Sequence, residues 1–293
     1  MNITNDNQIP IPIYRAICQN WYSGAGVDHF CSVTDLIKPP KLFVLEKRHQ
    51  AELQREASDL IWSLMGSAMH KVLEKSETNN SLNEERLFCE LNGKIISGGI
   101  DLYEDGVISD FKFTSVWSFI YASGKREWEE QLNLYAYLYQ TAGFEVKKLQ
   151  IIAIFRDWSA SKCKFEKSYP DQVEIIPIRK WSTDQCEHFI RQKLFQLEMA
   201  LRVPDDAIQE CSQKDRWQDD DVFAVMKKGN KRAVKLCQSE KQALMFIDSN
   251  KDKAKLSIEL RKSIPRRCED YCPVNLYCHY YRELHPEMFQ EAI

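Results

Sequence analysis

Two dipeptides, Asn92-Gly93 and Asp105-Gly106, constrain the fold of this chain more than any other feature. Each supplies the positive backbone φ that a tight hairpin turn demands, and each is flanked by runs of strand-forming residues. The stretch from 84 to 113 (EERLFCEL, KIISGGIDLYE, VISDFKF) is therefore expected to form three consecutive strands. Before it, apolar residues recur at helical spacing across 51–76 (Leu60, Leu64 and Ala68; Ile61, Met65, Met69 and Val72), which predicts one long amphipathic helix. After it, 125–142 reads as a second helix closed by Gly143, and KKLQIIAIF as a short buried strand. The order is helix, three strands, helix, strand. That pattern defines an α/β (α+β) class with a mixed central sheet flanked by helices.

Further along, VEIIPI (173–178) reads as another strand and 182–202 as an amphipathic helix ending before Pro204. The polar run IQECSQKDRWQDDD breaks the pattern. VFAVMKKGNKRAVKLC then reads as a hairpin turned at Gly229-Asn230, followed by a helix beginning at Ser239.

The strands carry charges that a sheet core would not choose. With 293 residues, 44% of them hydrophobic, the chain is long enough to bury a sizeable core. An ionised carboxylate inside such a core costs several kcal/mol unless something pairs with it. Asp101 and Asp110 lie on neighbouring predicted strands, so their carboxylates can converge on one cation. Lys112, two residues after Asp110, faces the same side of its strand. A magnesium ion takes one or two carboxylates, keeps waters and leaves room for phosphate, and an ammonium beside it can orient a water or stabilise developing charge. Acid-x-Lys also occurs at Glu145-Val-Lys147, so the tripeptide alone says little. His70 joins the constellation from the first helix. Gly66, one turn before it, costs about 1 kcal/mol in mid-helix and points to a close approach of backbone or substrate there.

Net charge is only −3, so nucleic-acid affinity would have to come from local patches. KPPKLFVLEKRH (38–49), KKGNKRAVK (227–235) and RKSIPRR (261–267) are such runs, each also readable as a solvated face. No apolar run approaches the roughly 18 residues of a membrane helix. The N-terminus lacks a secretory pattern, so a cytoplasmic location is expected. Ten scattered cysteines suit mostly reduced thiols.

GSAMH (66–70), GID (99–101), DFK (110–112) and QLNLY (131–135) occur in that order. Together they resemble the motifs of the PD-(D/E)XK nucleases, and within them the RecB-type exonuclease branch. SVTDLIKPPKLFVLEKRH is similar to the opening segment of phage-encoded members. The resemblance implies a restriction-endonuclease-like αβββαβ core with a C-terminal α/β extension. It also implies that His70, Asp101, Asp110 and the carbonyl of Phe111 bind Mg²⁺ (or Mn²⁺) and that Lys112 acts on the water nucleophile. Gln131 and Tyr135 would face the site from the second helix. Glu90 reads either as a supporting acid or as a surface strand charge. Trp117, Phe119, Tyr121 and Trp128 read either as stacking surfaces for unpaired bases or as core.

Cys268, Cys272 and Cys278 form C-x3-C-x5-C near the C-terminus. Some RecB-type enzymes bind a 4Fe-4S cluster through one upstream cysteine and a C-x2-C-x5-C. Here the last interval fits, the first does not, and the stretch comparable to the upstream segment, PPKLF (39–43), has no cysteine. Cys31, or Cys18, is the candidate fourth thiolate, and His279 could complete a zinc site. A cluster, a Zn²⁺ ion and plain reduced thiols all remain open.

The sequence thus predicts an N-terminal arm (1–29), a nuclease core (30–180), a helical and hairpin extension (181–263) and a cysteine-containing segment (264–293) packing back on the core. The function it points to is a metal-dependent deoxyribonuclease, an exonuclease on DNA ends or single strands in phage replication or recombination. A catalytically silent DNA-binding subunit and a structure-specific endonuclease are the alternatives.

Overall fold

The computed structural model describes residues 2–19, 28–75, 81–83, 86–120 and 125–289. The chain divides into two compact units, one of Met1–Lys38 with His49–Arg202 and the other of Pro39–Arg48 with Val203–Ile293.

In the first unit both turn dipeptides do as their chemistry dictates. Arg86–Leu91 and Lys94–Gly99 pair antiparallel, with Leu91 opposite Lys94. Between them Asn92 (φ 53°) and Gly93 (φ 72°) take the two positive φ values of a type I′ turn. Asp105 and Gly106 repeat the arrangement between Leu102–Glu104 and Val107–Thr114.

KIISGGIDLYE, predicted as one strand, is two. Pairing stops after Gly99 and resumes at Leu102, with Asp101 at the bend. Lys94–Gly99 joins Cys31–Ser32 and Arg86–Leu91. Leu102–Glu104 belongs instead to a sheet of order Val173–Ile178, Lys148–Phe155, Val107–Thr114, Leu102–Glu104, Ser81–Asn83. This sheet is mixed, because Val107–Thr114 runs parallel to Lys148–Phe155 while the other pairs are antiparallel. The break goes with a bond to the next strand: Phe111 N donates to the Asp101 carboxylate, so Asp101 turns towards the neighbouring strand instead of continuing its own.

The helix expected over 51–76 is also shorter. It spans Ile61–Glu74 after a 3₁₀ turn at Ala57–Leu60, and Gln54–Glu56 is a strand parallel to Asn2–Thr4. Glu56 explains the difference, since its carboxylate accepts from Thr4 Oγ1 at 2.6 Å and from the backbone of Asp6 and Asn7. These bonds to the N-terminal arm outweigh a modest helical preference.

The helix Lys125–Thr141 packs against Arg86–Leu91, Lys148–Phe155 and the helices Val33–Ile37 and Thr183–Leu201. Leu132, Leu134, Tyr135, Ala136, Tyr137, Leu138 and Tyr139 are all buried, so more than one of its faces is covered. Asn133, fully buried, is tied on every side. Its amide donates to the carbonyls of Glu129 and Arg179, both at 2.8 Å, and its oxygen accepts from Trp181 N at 2.6 Å.

In the second unit, Lys235–Cys237, Val222–Lys227 and Leu256–Arg261 form an antiparallel sheet in that order. The helix Glu240–Asp248, capped by Ser239, packs over it around Val225, Cys237 and Ala243. The strand Leu256–Arg261 is an addition to the predicted pattern. Among the described residues no helix is long and apolar enough to cross a membrane.

Candidate active site

The bend at Asp101, the middle of the strand Val107–Thr114, and the helices Ile61–Glu74 and Lys125–Thr141 bring six polar side chains together. Asp110 is the floor, its side chain only 4% exposed, while Lys112 at 26% and His70 at 31% form a more open rim. Alternation along the strand puts Asp110 and Lys112 on one face, as the two-residue spacing requires.

Lys112 Nζ stands 2.7 Å from Asp110 Oδ2 and donates to Gln131 Oε1 at 3.2 Å. The first is a close, charge-assisted contact between a lysine ammonium and a buried carboxylate oxygen. Gln131 Nε2 donates to Asp110 Oδ1 at 3.3 Å and to the Tyr135 hydroxyl at 3.0 Å. One amide therefore bridges acid, lysine and tyrosine. Asp101 accepts from Phe111 N at 2.7 Å through Oδ2, and its Oδ1 lies 3.3 Å from His70 Nδ1.

Burial pushes the Asp110 carboxyl up to about 6, and the nearby Asp101 adds to the rise, while Lys112 and then His70 oppose it. A carboxylate this buried welcomes further positive charge. As they stand, no three histidine, cysteine or acidic side chains among the described residues close round a single point. The carboxylates are engaged instead with His70, Lys112, Gln131 and the Phe111 amide.

Gly98 shapes the same site from below. A Cβ there would lie 2.9 Å from two ring carbons of Tyr135, so only glycine lets that ring, and through it Gln131, sit where it does. At Gly66, among the described residues, nothing lies within 4 Å of a Cβ built on it, so of the two expected reasons for the glycine the approach of another backbone is not seen there.

Other predicted participants fall outside this group. Glu90 is exposed on its strand. Phe119 packs on Phe155, ring centroids 5.3 Å apart, whereas Trp117 is 56% exposed. Trp128 is half-buried, and Tyr121 lies outside the described residues. Trp62, not singled out by its sequence spacing, is exposed on the helix that carries His70, with the Arg156 guanidinium 4.5 Å from its ring centroid. Cys31 is buried in the first unit, paired in strand with Ile96, and Cys18 is exposed there. His279 lies 3.4 Å from Glu283.

The sequence matches no known family profile and no curated protein. In fold it is similar to SSO0001, whose crystal structure aligns over 62% of this chain and 84% of that one at 17% identity and a TM-score of 0.41. It is also similar to an alkaline exonuclease from Laribacter hongkongensis, over 58% of this chain and 89% of that one, at 11% identity and a TM-score of 0.35. Likenesses this distant assign neither a family nor an activity.

Proposed function

We propose that the first unit is a metal-dependent deoxyribonuclease of the PD-(D/E)XK type, closest in its motifs to the RecB-type exonucleases. The observation that carries this reading is the arrangement around Asp110. A buried carboxylate lies 2.7 Å from a lysine ammonium, with a second acid and an imidazole near enough to act on its charge.

These donors suit a hard divalent cation. Mg²⁺ or Mn²⁺ would be held by Asp101, Asp110, His70 and the Phe111 carbonyl. Bound, the ion supplies a Lewis acid that lowers the pKa of water and offsets charge on a scissile phosphate. The protein's own groups do the rest. Lys112, held by Asp110 and Gln131, presents an ammonium at the open rim, where it can orient a water and meet charge developing on a phosphoryl oxygen. Gln131 fixes the rotamers of both partners from a buried helix, so that the site is positioned before substrate arrives. Trp62 and Trp117 offer exposed aromatic faces on which unpaired bases could stack. A DNA substrate with free ends or single strands fits these groups, and the phage role follows from the motif resemblance alone.

The test is degradation of 5′- and 3′-labelled single-stranded, duplex and covalently closed DNA, with Mg²⁺, with Mn²⁺, with chelator, and with Lys112→Ala. Metal-dependent loss from linear ends that disappears in the variant supports an exonuclease. Cleavage of closed circles would replace it with an endonuclease. DNA binding without any cleavage would leave a silent binding subunit.

A further inference from the structure

In the second unit Cys211, Cys268, Cys272 and Cys278 line one cavity, but among the described residues no three metal-binding side chains close round a point. The charges of the same unit carry more. From 222 to 262, the small sheet and its helix, nine lysines and two arginines stand against two aspartates and two glutamates. That is a local charge of +7 in a chain whose net charge is −3. The run directly before the sheet is acidic, ending in Asp219, Asp220 and Asp221. Ordinary solvated surfaces intersperse the two signs, because crowded like charges repel. Here the signs are sorted.

The fold concentrates the positive charge further. Val222–Lys227 leaves the sheet at the end where Leu256–Arg261 enters it, with Lys227 opposite Leu256. The turn after the first strand and the loop before the second therefore share that end. Lys228 N donates to the Lys255 carbonyl at 2.9 Å, and Lys227 Nζ donates to Asp252 Oδ2 at 2.6 Å, so turn and loop are tied together. Gly229, at φ 91°, turns the chain, and Val234 N returns to the Val225 carbonyl at 2.8 Å. Lys231, Arg232, Lys251, Lys253 and Lys255 are exposed there, and Lys228 is half-buried. Asp252 is the one acid within 227–235 and 251–255, and Lys227 takes it. Among the described residues no carboxylate lies within ion-pair distance of the other six cations.

Six cations so placed fit a partner that brings dense negative charge of its own. The rings of the region narrow its form. Phe223 and Phe246, the two aromatic residues of 222–262, both pack round Val225, Cys237 and Ala243, and the Lys235 ammonium covers Phe246 at 4.7 Å. Single strands are gripped by basic grooves combined with aromatic platforms for their bases. A duplex hides its bases and offers one phosphate charge per roughly 1.7 Å of axis. Lysines and an arginine whose neighbouring rings are already taken match the duplex.

We propose that this end of the small sheet is a docking surface for the phosphate backbone of duplex DNA, binding without regard to sequence. The choice of DNA as the polyanion rests on the nuclease reading, whereas the charged surface itself does not. Its contribution is retention on DNA and not chemistry, since none of its side chains belongs to the group around Asp110.

The test is fluorescence anisotropy of the full chain with a labelled blunt DNA duplex in chelating buffer, where metal-dependent hydrolysis cannot intervene. Unlabelled duplex, single strand of the same sequence, the matching RNA duplex and phosphatidylserine vesicles serve as competitors. Duplex affinity is expected to fall with salt at a log–log slope of about −4, as for four or five phosphate contacts. Lys231→Ala/Arg232→Ala/Lys253→Ala/Lys255→Ala should weaken it by roughly tenfold or more and flatten the slope by about 3. Lys164→Ala/Lys167→Ala, at exposed positions of the first unit, should leave it nearly unchanged. Unchanged affinity in the fourfold variant, or an equal loss in the first-unit variant, would overturn the surface. So would competition by single strand, RNA duplex or vesicles as effective as that by unlabelled DNA duplex. Should the fourfold variant melt lower than wild type, Lys231→Ala/Arg232→Ala at the turn decides, with about half the change in slope. End-label release in Mg²⁺, followed separately, tells the two readings apart. A wild type that binds duplex through these residues without hydrolysing it keeps the surface and loses the nuclease, and hydrolysis with unchanged duplex binding in the fourfold variant does the reverse.

Discussion

The main-chain amide of Phe111 donates to Asp101 Oδ2 at 2.7 Å, so the strand that carries Asp110 also holds the second acid in place. An asparagine at 101 can still accept that bond, but it loses the charge. Asp101→Asn is expected to unfold within about 1 kcal/mol of wild type while DNA hydrolysis falls by roughly 10²-fold or more. Thermal unfolding and end-label release would check the pair, and full activity in the variant would remove Asp101 from the site.

Asp110 makes a prediction about pH. Its carboxyl is raised to about 6 in the folded chain, so between about pH 4 and 6 the folded state holds a proton that the unfolded chain has released. Stability therefore falls as pH rises through that window, and the penalty is complete above it. In chelating buffer Asp110→Asn should melt higher than wild type at pH 7, by an amount on the order of 2–3 kcal/mol, with the gap closing near pH 4. Equal melting temperatures at neutral pH would show that the buried charge is better compensated than its surroundings indicate.

Gly98→Ala should cost about 1–3 kcal/mol, because the new methyl meets the Tyr135 ring at 2.9 Å. If the contact is the cause, Tyr135→Leu should suppress most of that cost, and a double-mutant cycle of denaturant midpoints measures it. Additive effects would place the strain elsewhere.

Asn133→Ala strips a fully buried amide from the Glu129 and Arg179 carbonyls and from Trp181 N. Leaving those groups unpaired should lower stability by about 2–4 kcal/mol. Chemical denaturation reads it directly, and a change under 0.5 kcal/mol would mean that water takes over the bonds.

Much of the first unit was legible because its signals are local. Asn92-Gly93 and Asp105-Gly106 demand positive φ, and both turns form where they stand. The members of the candidate site, spread from His70 to Tyr135, do meet. What escaped were features decided by partners distant in sequence. Glu56 is taken by Thr4, which converts a predicted helical turn into a strand. Asp101 is taken by the Phe111 amide, which splits a strand. Leu256–Arg261 alternates Leu, Ile and Leu with polar residues, a strand signal overlooked beneath its charges. Cys211 carries no spacing signal relative to the C-terminal cysteines, and only the folded second unit brings it to them.

The helix Pro40–Arg48 belongs to the second unit although it is flanked on both sides by segments of the first. During synthesis it emerges more than 150 residues ahead of the rest of that unit. At 5–20 residues per second it waits roughly ten seconds or longer for its partners. Until Val274 and Tyr281 are made, Leu42 and Leu45 lack the wall they share with them in the finished chain. A fragment stopped at Arg202 would carry every residue of the candidate active site and still leave that greasy helix permanently unmatched, which makes the C-terminal third a folding partner that the chain cannot simply shed.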